Sequence, residues 1–432
     1  MVTARGVRVG AAVAAVPVLL LGLQIFASRN GFEGPLVSTW HDFTGTPKSV
    51  TVPWAGLALA LVGLTWRWRF ITLGLALGVD AVFAGVRLLD GATPTLGSGP
   101  TIALTALAMW AVFRWDGVQR RNALHAAALG ALLILATKVG DVWLHITVIA
   151  RPTVLDQYVL LADHALGEPS WVMGRLVDAA GPVVYGVLHW VYIELPVMAM
   201  VVAVWQLRHV VTRGQWPSHY LVRTFLVLGL LGPVVYVIFP VVGPMFAFGA
   251  DGHGLQVGNY WPQIIPPLDT HPAAMAFDNV TPRNCMPSMH TAWALTVFIH
   301  SRRDNDGSPA PRLLRWAGAF WLAATLTATL GFGYHYGVDL VAGAVLCMAV
   351  ESALRAPERG WDRTRIQLVG AGFALLAVLL LSYRYLAVEM AEFPVPAGIV
   401  IVGLFAAYVT AFYRTWFARR PAPAPVEESV PA

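Results

Sequence analysis

The run Val16-Pro-Val-Leu-Leu-Leu-Gly-Leu-Gln-Ile-Phe26 is apolar at almost every position and shows no alternation of apolar and polar residues. The strands of a membrane β-barrel alternate with a period of two, so the run predicts a helix. About twelve such stretches of roughly 15–25 residues occur along the chain, and ~20 helical residues can cross a hydrocarbon core. The sequence therefore predicts an all-α, polytopic transmembrane helical bundle, because helices satisfy their own backbone hydrogen bonds in lipid.

The composition also indicates that a bilayer is the solvent. Of the 432 residues, 57% are hydrophobic and 12% are charged, whereas an ordinary soluble domain carries about 25% charged residues. The net charge of +5 does not indicate a nucleic-acid partner, because the basic residues lie at the ends of the apolar stretches. Arg greatly outnumbers Lys, which occurs only at Lys48 and Lys138, and this bias with so much Ala is typical of a GC-rich bacterial genome.

The spans and their grouping can be predicted from the apolar stretches. The first stretch follows Arg5 and Arg8 closely, but it lacks a convincing cleavage site for a signal peptide, so we expect it to remain as a span. The expected spans are 8–28, 50–65, 68–88, 99–114, 123–149, 182–207, 222–243, 288–301, 314–332, 337–353, 366–386 and 395–414. They divide into an N-terminal four-helix membrane extension (1–122), six central spans (123–353), two C-terminal membrane helices (354–416) and a disordered Pro-rich tail (417–432).

The basic residues predict the orientation of these spans. With a cytoplasmic N-terminus, Lys138 lies within a span and 21 of the 29 basic residues fall in inner segments. The outer segments then hold only Arg29, Lys48, Arg87, Arg151, Arg175, Arg283 and Arg384. Positive charge accumulates in cytoplasmic loops, so both termini are expected in the cytoplasm of a bacterial cell, with the protein in its plasma membrane. Two long outer loops, 150–181 and 244–287, are expected to be lids or binding loops.

One cluster of reactive residues precedes the eighth span, in Thr281-Pro-Arg-Asn-Cys-Met-Pro-Ser-Met-His-Thr-Ala-Trp293. Pro287 suits the first turn of a helix, and a helix N-terminus offers free N–H groups to an anion. Arg283 would add a fork of donors, Ser288 a hydroxyl and His290 a titratable proton carrier. Together these residues could hold a phosphate.

A second cluster opens the tenth span, in Gly331-Phe-Gly-Tyr-His-Tyr-Gly-Val-Asp-Leu-Val-Ala-Gly343. His335 and Asp339 are four residues apart and would share one face of a helix, so that the carboxylate orients the imidazole and makes its far nitrogen nucleophilic. The expected topology puts both clusters at the same outer boundary.

Pro287-Ser-Met-His290 and His335-Tyr-Gly-Val-Asp339 resemble the histidine motifs of the type 2 phosphatidic acid phosphatase superfamily, particularly its inositol phosphorylceramide synthase-like branch. The similarity covers roughly residues 123–353, and it implies that these six spans form a catalytic six-helix core. It implies His290 as general acid and base, His335 as nucleophile and Asp339 as the partner of His335. The implied reaction is phosphoryl transfer from a phospholipid or polyprenyl phosphate through a phosphohistidine, without metal or cofactor, to water or to a polyol such as inositol.

The chain departs from the phosphatase pattern where that pattern places phosphate-binding cations. Thr329 stands six residues before His335, at the usual place of an Arg, and no Lys-x6-Arg-Pro signature is present. We therefore predict that Arg283, and after it Arg151, binds the phosphate, with Ser288 and Tyr334 as further substrate-binding residues. Ser288 has the alternative of capping its helix, and Arg283 that of an interfacial side chain.

Other polar residues leave a second function open. Lys138, Asp141 and His145 fall at helical spacing within one span, as in a transporter or channel, although a structural Lys138–Asp141 ion pair would explain the first two. Further candidates lie outside this cluster, and each has a plain structural alternative. They are Tyr185, His189 and Tyr192 as lining of a lipid pocket or as helix packing, and Asp156 and Asp163 as ligands of a polyol head group or as solvated loop residues.

Overall fold

The fold was obtained as a computed structural model, which describes residues 4–249, 271–305 and 307–418. It is built almost wholly of helices, which confirms the all-α, polytopic prediction. The helices are α1 (Ala4–Arg29), α2 (Pro35–Phe43), α3 (Thr51–Leu61), α4 (Trp66–Leu89), α5 (Ser98–Arg114), α6 (Gly117–Ala150), α7 (Asp156–His164), α8 (Pro169–Ala179), α9 (Gly181–Ile193), α10 (Leu195–Leu207), α11 (Val210–Arg213), α12 (Leu221–Ile238), α13 (Pro244–Phe248), α14 (Met289–His300), α15 (Arg312–Gly331), α16 (Gly337–Leu354), α17 (Arg363–Tyr385), α18 (Ala387–Glu392) and α19 (Pro394–Trp416), with a 3-10 turn at Pro357–Arg359.

Eight helical segments in the described part of the chain are long and apolar enough to cross a membrane. They are α4, α6, Leu195–Arg213, α12, α15, α16, α17 and α19. The predicted spans at 50–65, 99–114 and 288–301 form shorter helices of 11, 17 and 12 residues. The predicted span at 182–207 is wrong as one helix, because α9 ends at Ile193 and α10 begins at Leu195. Pro196 explains the break, since it has no N–H to donate within a continuous helix.

Helix α6 joins the N-terminal helices to the rest of the bundle. Its 34 residues pack along α3 and α5 on one side and against α12 on the other. Helix α4 packs on α5, and the core that α3, α5 and α6 share includes Leu57, Leu104 and Ile134. Helices α12, α14, α15 and α16 form the centre of the molecule, and α17 and α19 pack against α16.

The segment predicted as a long loop at 150–181 is mostly helical, so that prediction is wrong. It contains α7 and α8, and Val159 and Leu160 of α7 are buried in the central core. A two-residue strand β1 (Thr153–Val154) pairs antiparallel with β2 (Met275–Ala276) and connects the segment after α6 to the segment before α14. Burial of apolar side chains on α7 is the physical reason that the segment folds onto the bundle.

The second predicted outer loop, 244–287, is only partly described. Its described residues are those of α13 up to residue 249, and those from residue 271 onward, which include β2. The stretches Asn259-Tyr-Trp-Pro and Ile264-Ile-Pro-Pro lie outside the described residues, as do residues 419–432 of the predicted tail.

The N-terminal ends of α14 and α16 meet at the centre of the bundle. Ser288 N donates to Asp339 O at 3.1 Å. A Cβ added to Gly343 would lie 2.3 Å from Ser288 O, so only glycine allows the two backbones to approach this closely. This contact brings together two segments about fifty residues apart in sequence, each of which carries one of the predicted histidines.

Candidate active site

His335 and Asp339 contact each other at the N-terminus of α16, although only Asp339 belongs to the helix and the predicted shared helix face is not formed. His335 is in the turn before the helix, and Asp339 is in its first turn. Their Nδ1 and Oδ2 atoms are 3.3 Å apart, and Asp339 Oδ2 also accepts from Tyr336 N at 2.9 Å. A carboxylate at Nδ1 favours the tautomer that carries the proton there and leaves the lone pair on Nε2. The arrangement therefore suits His335 Nε2 to act as a nucleophile.

The thiol of Cys285 is the third member of this group. Its Sγ donates to Asp339 Oδ2 at 2.6 Å and lies 3.3 Å from His335 Nδ1. Burial raises the pKa of the Cys285 thiol well above its ordinary value, so the sulfur keeps its proton and is the donor. Asp339 Oδ1 is buried and has no hydrogen-bond partner in the described structure.

His290 lies in the first turn of α14, on the other side of the site. The centroid of its ring is 6.5 Å from that of His335, and the ring planes are inclined at 64°. Tyr192 of α9 stacks on His290 with centroids 4.0 Å apart, and its hydroxyl lies 3.1 Å from His290 Nδ1. The second histidine is thus oriented through Nδ1, as the first is, but by a phenol instead of a carboxylate.

Asp156 supports the loop that faces His335. Its carboxylate is fully buried and accepts from Val242 N at 3.1 Å, Gly243 N at 2.9 Å and the Tyr336 hydroxyl at 2.9 Å. Gly243 has φ +102°, and an added Cβ would lie 2.3 Å from Tyr334 O. Asp156 is therefore neither in a solvated loop nor free for a polyol head group. It holds the 241–243 segment against the turn that carries His335.

Asp163 supports the same turn from α7. Its Oδ1 accepts from Val338 N at 3.0 Å, at the N-terminus of α16, and Ser170 Oγ donates to His335 O at 2.6 Å. Desolvation raises the pKa of Asp163 to about 8. The expectation that this residue is solvated is therefore wrong, and the first-turn amides of α16 are used within the protein and are not free for a phosphate.

The guanidinium of Arg283, the leading sequence candidate for phosphate binding, is buried among backbone carbonyls. Its Nε donates to Arg151 O at 2.9 Å, and its two terminal nitrogens donate to Thr281 O and Asp278 O. Burial lowers the pKa of Arg283, with Asp278 and Asp156 acting in the opposite direction. The side chain fastens the 278–283 segment to the end of α6 in this structure.

The other predicted substrate-binding residues occupy three different places. Ser288 Oγ accepts from Thr291 N at 3.3 Å and caps α14. Arg151 is exposed and donates through Nε to Val237 O. Tyr334 is half-buried beside His335, with its ring centroid 5.2 Å from that of Tyr192. The structure thus brings Ser288 and Tyr334 next to the histidines, whereas Arg151 and Arg283 lie together at the end of α6.

The charged cluster of the fifth predicted span has a structural partner in the N-terminal segment. Lys138 Nζ contacts Asp42 Oδ1 at 2.9 Å, with the Lys138 side chain 9% exposed and that of Asp42 fully buried. Asp141 instead faces Lys48 at 3.4 Å, and His145 stacks on Phe32 with centroids 4.4 Å apart. The predicted Lys138–Asp141 pair is therefore wrong, because a nearer carboxylate comes from α2.

The roles of three contributors to the site were not identified from the sequence. Cys285 stands inside the quoted motif, but its partners His335 and Asp339 are 50 and 54 residues away along the chain. Tyr192 shares a helix face with Tyr185 and His189, and this spacing is the signal that could have indicated its contact with His290. Ser170 has no sequence signal, because its role depends on the position of α8 beside the turn at His335.

Comparison with known families finds two matches, one of which covers the central part of the chain. Residues 158–353 match the family model described as the PAP2 superfamily, the type 2 phosphatidic acid phosphatases. Residues 7–146 match a domain of unknown function, DUF5933. No match was found among curated proteins or among solved structures. The superfamily match contains His290, His335 and Asp339, and it supports a membrane enzyme of the phosphatase type.

Proposed function

We propose that this protein transfers a phosphoryl group from an amphipathic phospholipid or polyprenyl phosphate through a phosphohistidine on His335. The observation that carries the proposal is the approach of two histidines from separate helices to a ring distance of 6.5 Å, each with a polar partner at Nδ1. Both Nε2 atoms are then free for a phosphate between the rings, which is the geometry that nucleophilic and acid–base catalysis require.

The reaction proceeds in two displacements. His335 Nε2 attacks phosphorus, the bond to the lipid oxygen breaks, and His290 gives its proton to that oxygen. His290 then takes a proton from the acceptor hydroxyl, whose oxygen attacks the phosphohistidine and frees His335. Water as acceptor makes the enzyme a phosphatase, and a polyol such as inositol makes it a transferase of the inositol phosphorylceramide synthase type. The chemistry proposed here uses no metal or cofactor.

The surface beside the site favours a substrate held in the bilayer. Three ring side chains lie along α9. Those of Tyr185 and His189 are exposed at the surface, and that of Tyr192 stacks on His290. Tyr185 is 50% exposed among large apolar side chains such as Val183 and Trp190. A lipid phosphate could approach along this helix with its chains in the membrane and its head group at the histidines.

The proposed side of the membrane is the outer face, with cytoplasmic termini. The support is the charge count together with the position of the basic residues in the fold. Arg302, Arg315 and Arg355 gather at the ends of α14 and α16 that lie opposite to His290 and His335. Because basic residues favour the cytoplasmic side, the histidines are assigned to the outer one.

The central experiment replaces His335 by Ala in the purified full-length protein. A panel of lipid phosphates is supplied with water and inositol as competing acceptors, and the products are identified by mass spectrometry. We expect turnover to be lost in His335→Ala, and the product containing the phosphate identifies the acceptor. His209→Ala, a histidine between α10 and α11, is the matched control and should keep its activity. Turnover that persists in His335→Ala would overturn the proposal.

The second candidate function is transport through the cluster at Lys138. Flux of a solute in proteoliposomes that depended on Lys138 but not on His335 would favour it. The burial of Lys138 against Asp42 favours a structural role for this cluster instead.

A further inference from the structure

Two groups of ligating side chains converge in the described part of the chain. One is the site group Cys285, His335 and Asp339, and the other is an opposite-end group of His219, His300 and Glu351. The opposite-end group lies where α14 and α16 finish, away from the predicted catalytic residues. Because both groups combine donors that can bind a transition metal, their hydrogen bonds and charges decide which of them fits a cation.

The opposite-end group is already neutralised by an arginine. Arg355 contacts Glu351 Oε1 at 2.9 Å, and His219 Nε2 lies 3.1 Å from the same oxygen. Thr224 Oγ1 donates to Glu351 Oε2 at 2.7 Å. A divalent cation here would have to displace the guanidinium, and Glu351 would then cancel only one of the two charges of the cation.

The tautomer of His300 also opposes a cation at the opposite-end group. Gln206 Oε1 accepts from Leu221 N at 3.0 Å, which turns its amide nitrogen toward His300 Nδ1 at 3.0 Å. His300 Nδ1 therefore accepts, and its Nε2 carries the proton that is donated to Glu351 Oε2 at 3.1 Å. A metal at Nε2 would move this proton to Nδ1, where the Gln206 amide nitrogen already donates, so this group is a closed hydrogen-bond network.

The distances between the ligand atoms of the site group suit a cation with tetrahedral coordination. Its three ligand atoms are Cys285 Sγ, His335 Nδ1 and Asp339 Oδ2, and the sulfur–nitrogen and nitrogen–oxygen distances are both 3.3 Å. Zinc bonds of ~2.0–2.3 Å separate tetrahedral ligand atoms by about 3.3–3.6 Å. Only the sulfur–oxygen distance of 2.6 Å has to open, since a shared proton now holds these two atoms together.

The charge of the site group also fits a divalent cation. A thiolate and a carboxylate together cancel two positive charges, and the imidazole adds none, so the complex is neutral in a buried place. The sulfur selects thiophilic ions over Mg²⁺, which prefers six oxygen ligands. Asp339 Oδ1 is buried without a partner and would be available to the cation or to a water bound to it.

We propose that Cys285, His335 and Asp339 form an inhibitory binding site for a thiophilic divalent cation such as Zn²⁺ or Cd²⁺. Binding forms bonds from the metal to the Cys285 sulfur, to His335 Nδ1 and to the Asp339 carboxylate oxygen. The thiol proton leaves to solvent, and the proton on His335 Nδ1 moves to Nε2. The lone pair that attacks phosphorus is then lost, so phosphoryl transfer stops. The inhibitory part rests on the proposed function, whereas the binding does not.

The test measures Cd²⁺ binding and turnover on the same full-length preparations. Titration of the wild-type protein should give the ultraviolet charge-transfer band of a Cd–thiolate bond at one equivalent, and Zn²⁺ should remove the band by competition. Cys285→Ser should lose the band and bind at least about 100-fold more weakly, because even outer partners of a metal site contribute 10–100-fold. Cys347→Ser, the other buried free cysteine, should keep both the band and its activity.

Each outcome then decides a separate point. A band that survives in Cys285→Ser, or that never forms in the wild type, overturns the site. Activity of the wild type that is unaffected by saturating Cd²⁺ overturns the inhibition. If the Cys285 variant does not fold, Asp339→Asn takes its place and should weaken binding. A wild-type protein that binds Cd²⁺ but turns over no lipid phosphate contradicts the proposed function and leaves the cation site standing.

Discussion

The hydroxyl of Tyr192 is the partner that orients His290, and removing this single oxygen atom tests its role. In Tyr192→Phe the stacked ring is kept and the 3.1 Å contact to Nδ1 is lost. A hydrogen bond of this kind is worth about 1–1.5 kcal/mol, so we expect kcat to fall about tenfold with little change in KM. Steady-state kinetics with a lipid phosphate measure both constants.

Tyr185→Phe is the matched control, because Tyr185 lies on the same helix and its ring packs on Phe332. It should change kcat by less than about twofold, since a hydroxyl outside the pair of histidines takes no part in proton transfer. Equal losses in the two variants would contradict the orienting role of Tyr192.

The environment of His335 predicts how the first chemical step depends on pH. Desolvation lowers the pKa of His335 to about 4, with Cys285 acting in the opposite direction. A histidine whose pKa is lowered stays neutral at every pH above that value, so the nucleophile is available through the physiological range. With an aryl phosphate whose leaving group needs no proton, the burst of phosphoenzyme should be constant from pH 6 to pH 8 and fall by half near pH 4.

The reference for the pH at which the burst is halved is an unperturbed histidine, which has a pKa of about 6.5. A burst that is already halved near pH 6.5 would show that the nucleophile is solvated and would contradict the buried geometry. His335→Ala gives the baseline, since it should show no burst at any pH.

Spacing along the sequence can predict contacts between residues that lie close together in the sequence. His335 lies in the turn before α16 and Asp339 in its first turn, so the four-residue interval predicted their contact but not the way in which the backbone makes it. The role of Cys285 did not follow, because its partners are 50 and 54 residues away and only the packing of α14 on α16 brings them together. The same limit applies to Arg283, whose three carbonyl acceptors depend on the fold of the segment before α14.

Among the helices, the approach of α14 to α16 fixes the distance between the two histidines. Gly343→Ala would place a methyl group 2.3 Å from Ser288 O, a backbone atom that cannot rotate away. Overpacking of this kind costs about 1–3 kcal/mol, and here it also moves His290 away from His335. We expect a lower thermal unfolding temperature and a loss of kcat in the same variant.

Gly370→Ala provides the reference, because an added Cβ on that part of α17 meets no atom within 4 Å. It should leave kcat unchanged and keep or raise the unfolding temperature, since Ala favours a helix over Gly. If Gly343→Ala behaved in the same way, the close approach would not control the site.

The elements themselves were predictable wherever apolar residues fill a long stretch. Helices α4, α6, α15 and α17 fall where the apolar runs predict them. The break between α9 and α10 was missed because hydropathy does not register the missing N–H of Pro196. Helices α7 and α8 were missed because their polar residues suggested a loop, whereas the carboxylates of Asp156 and Asp163 are used to bind backbone amides inside the bundle.

Across the whole molecule, one buried ion pair joins the N-terminal helices to α6. Lys138→Met should destabilise the protein by about 3–5 kcal/mol, because Asp42 would remain buried without a countercharge. The double variant Lys138→Met/Asp42→Leu should recover most of that loss, since an apolar pair can replace a buried ion pair. Thermal unfolding in detergent measures the cycle.

The exposed contact of Asp141 with Lys48 is the control for this cycle, and Asp141→Ala should cost less than about 1 kcal/mol, because Lys48 also contacts Glu33 at 3.2 Å. We also expect the double variant to keep full phosphoryl transfer per folded molecule. A folded double variant without turnover would show that the N-terminal helices take part in the chemistry and not only in the packing.

The pairing of Asp42 with Lys138 also has a consequence for the order in which the chain is assembled. The two residues are 96 positions apart, so Asp42 is synthesised long before its partner. Until α6 has entered the membrane, α2 cannot settle in its final place without burying an uncompensated carboxylate. We therefore expect the N-terminal helices to remain at the translocon or at the membrane surface, and to complete their packing only after α6 has been inserted.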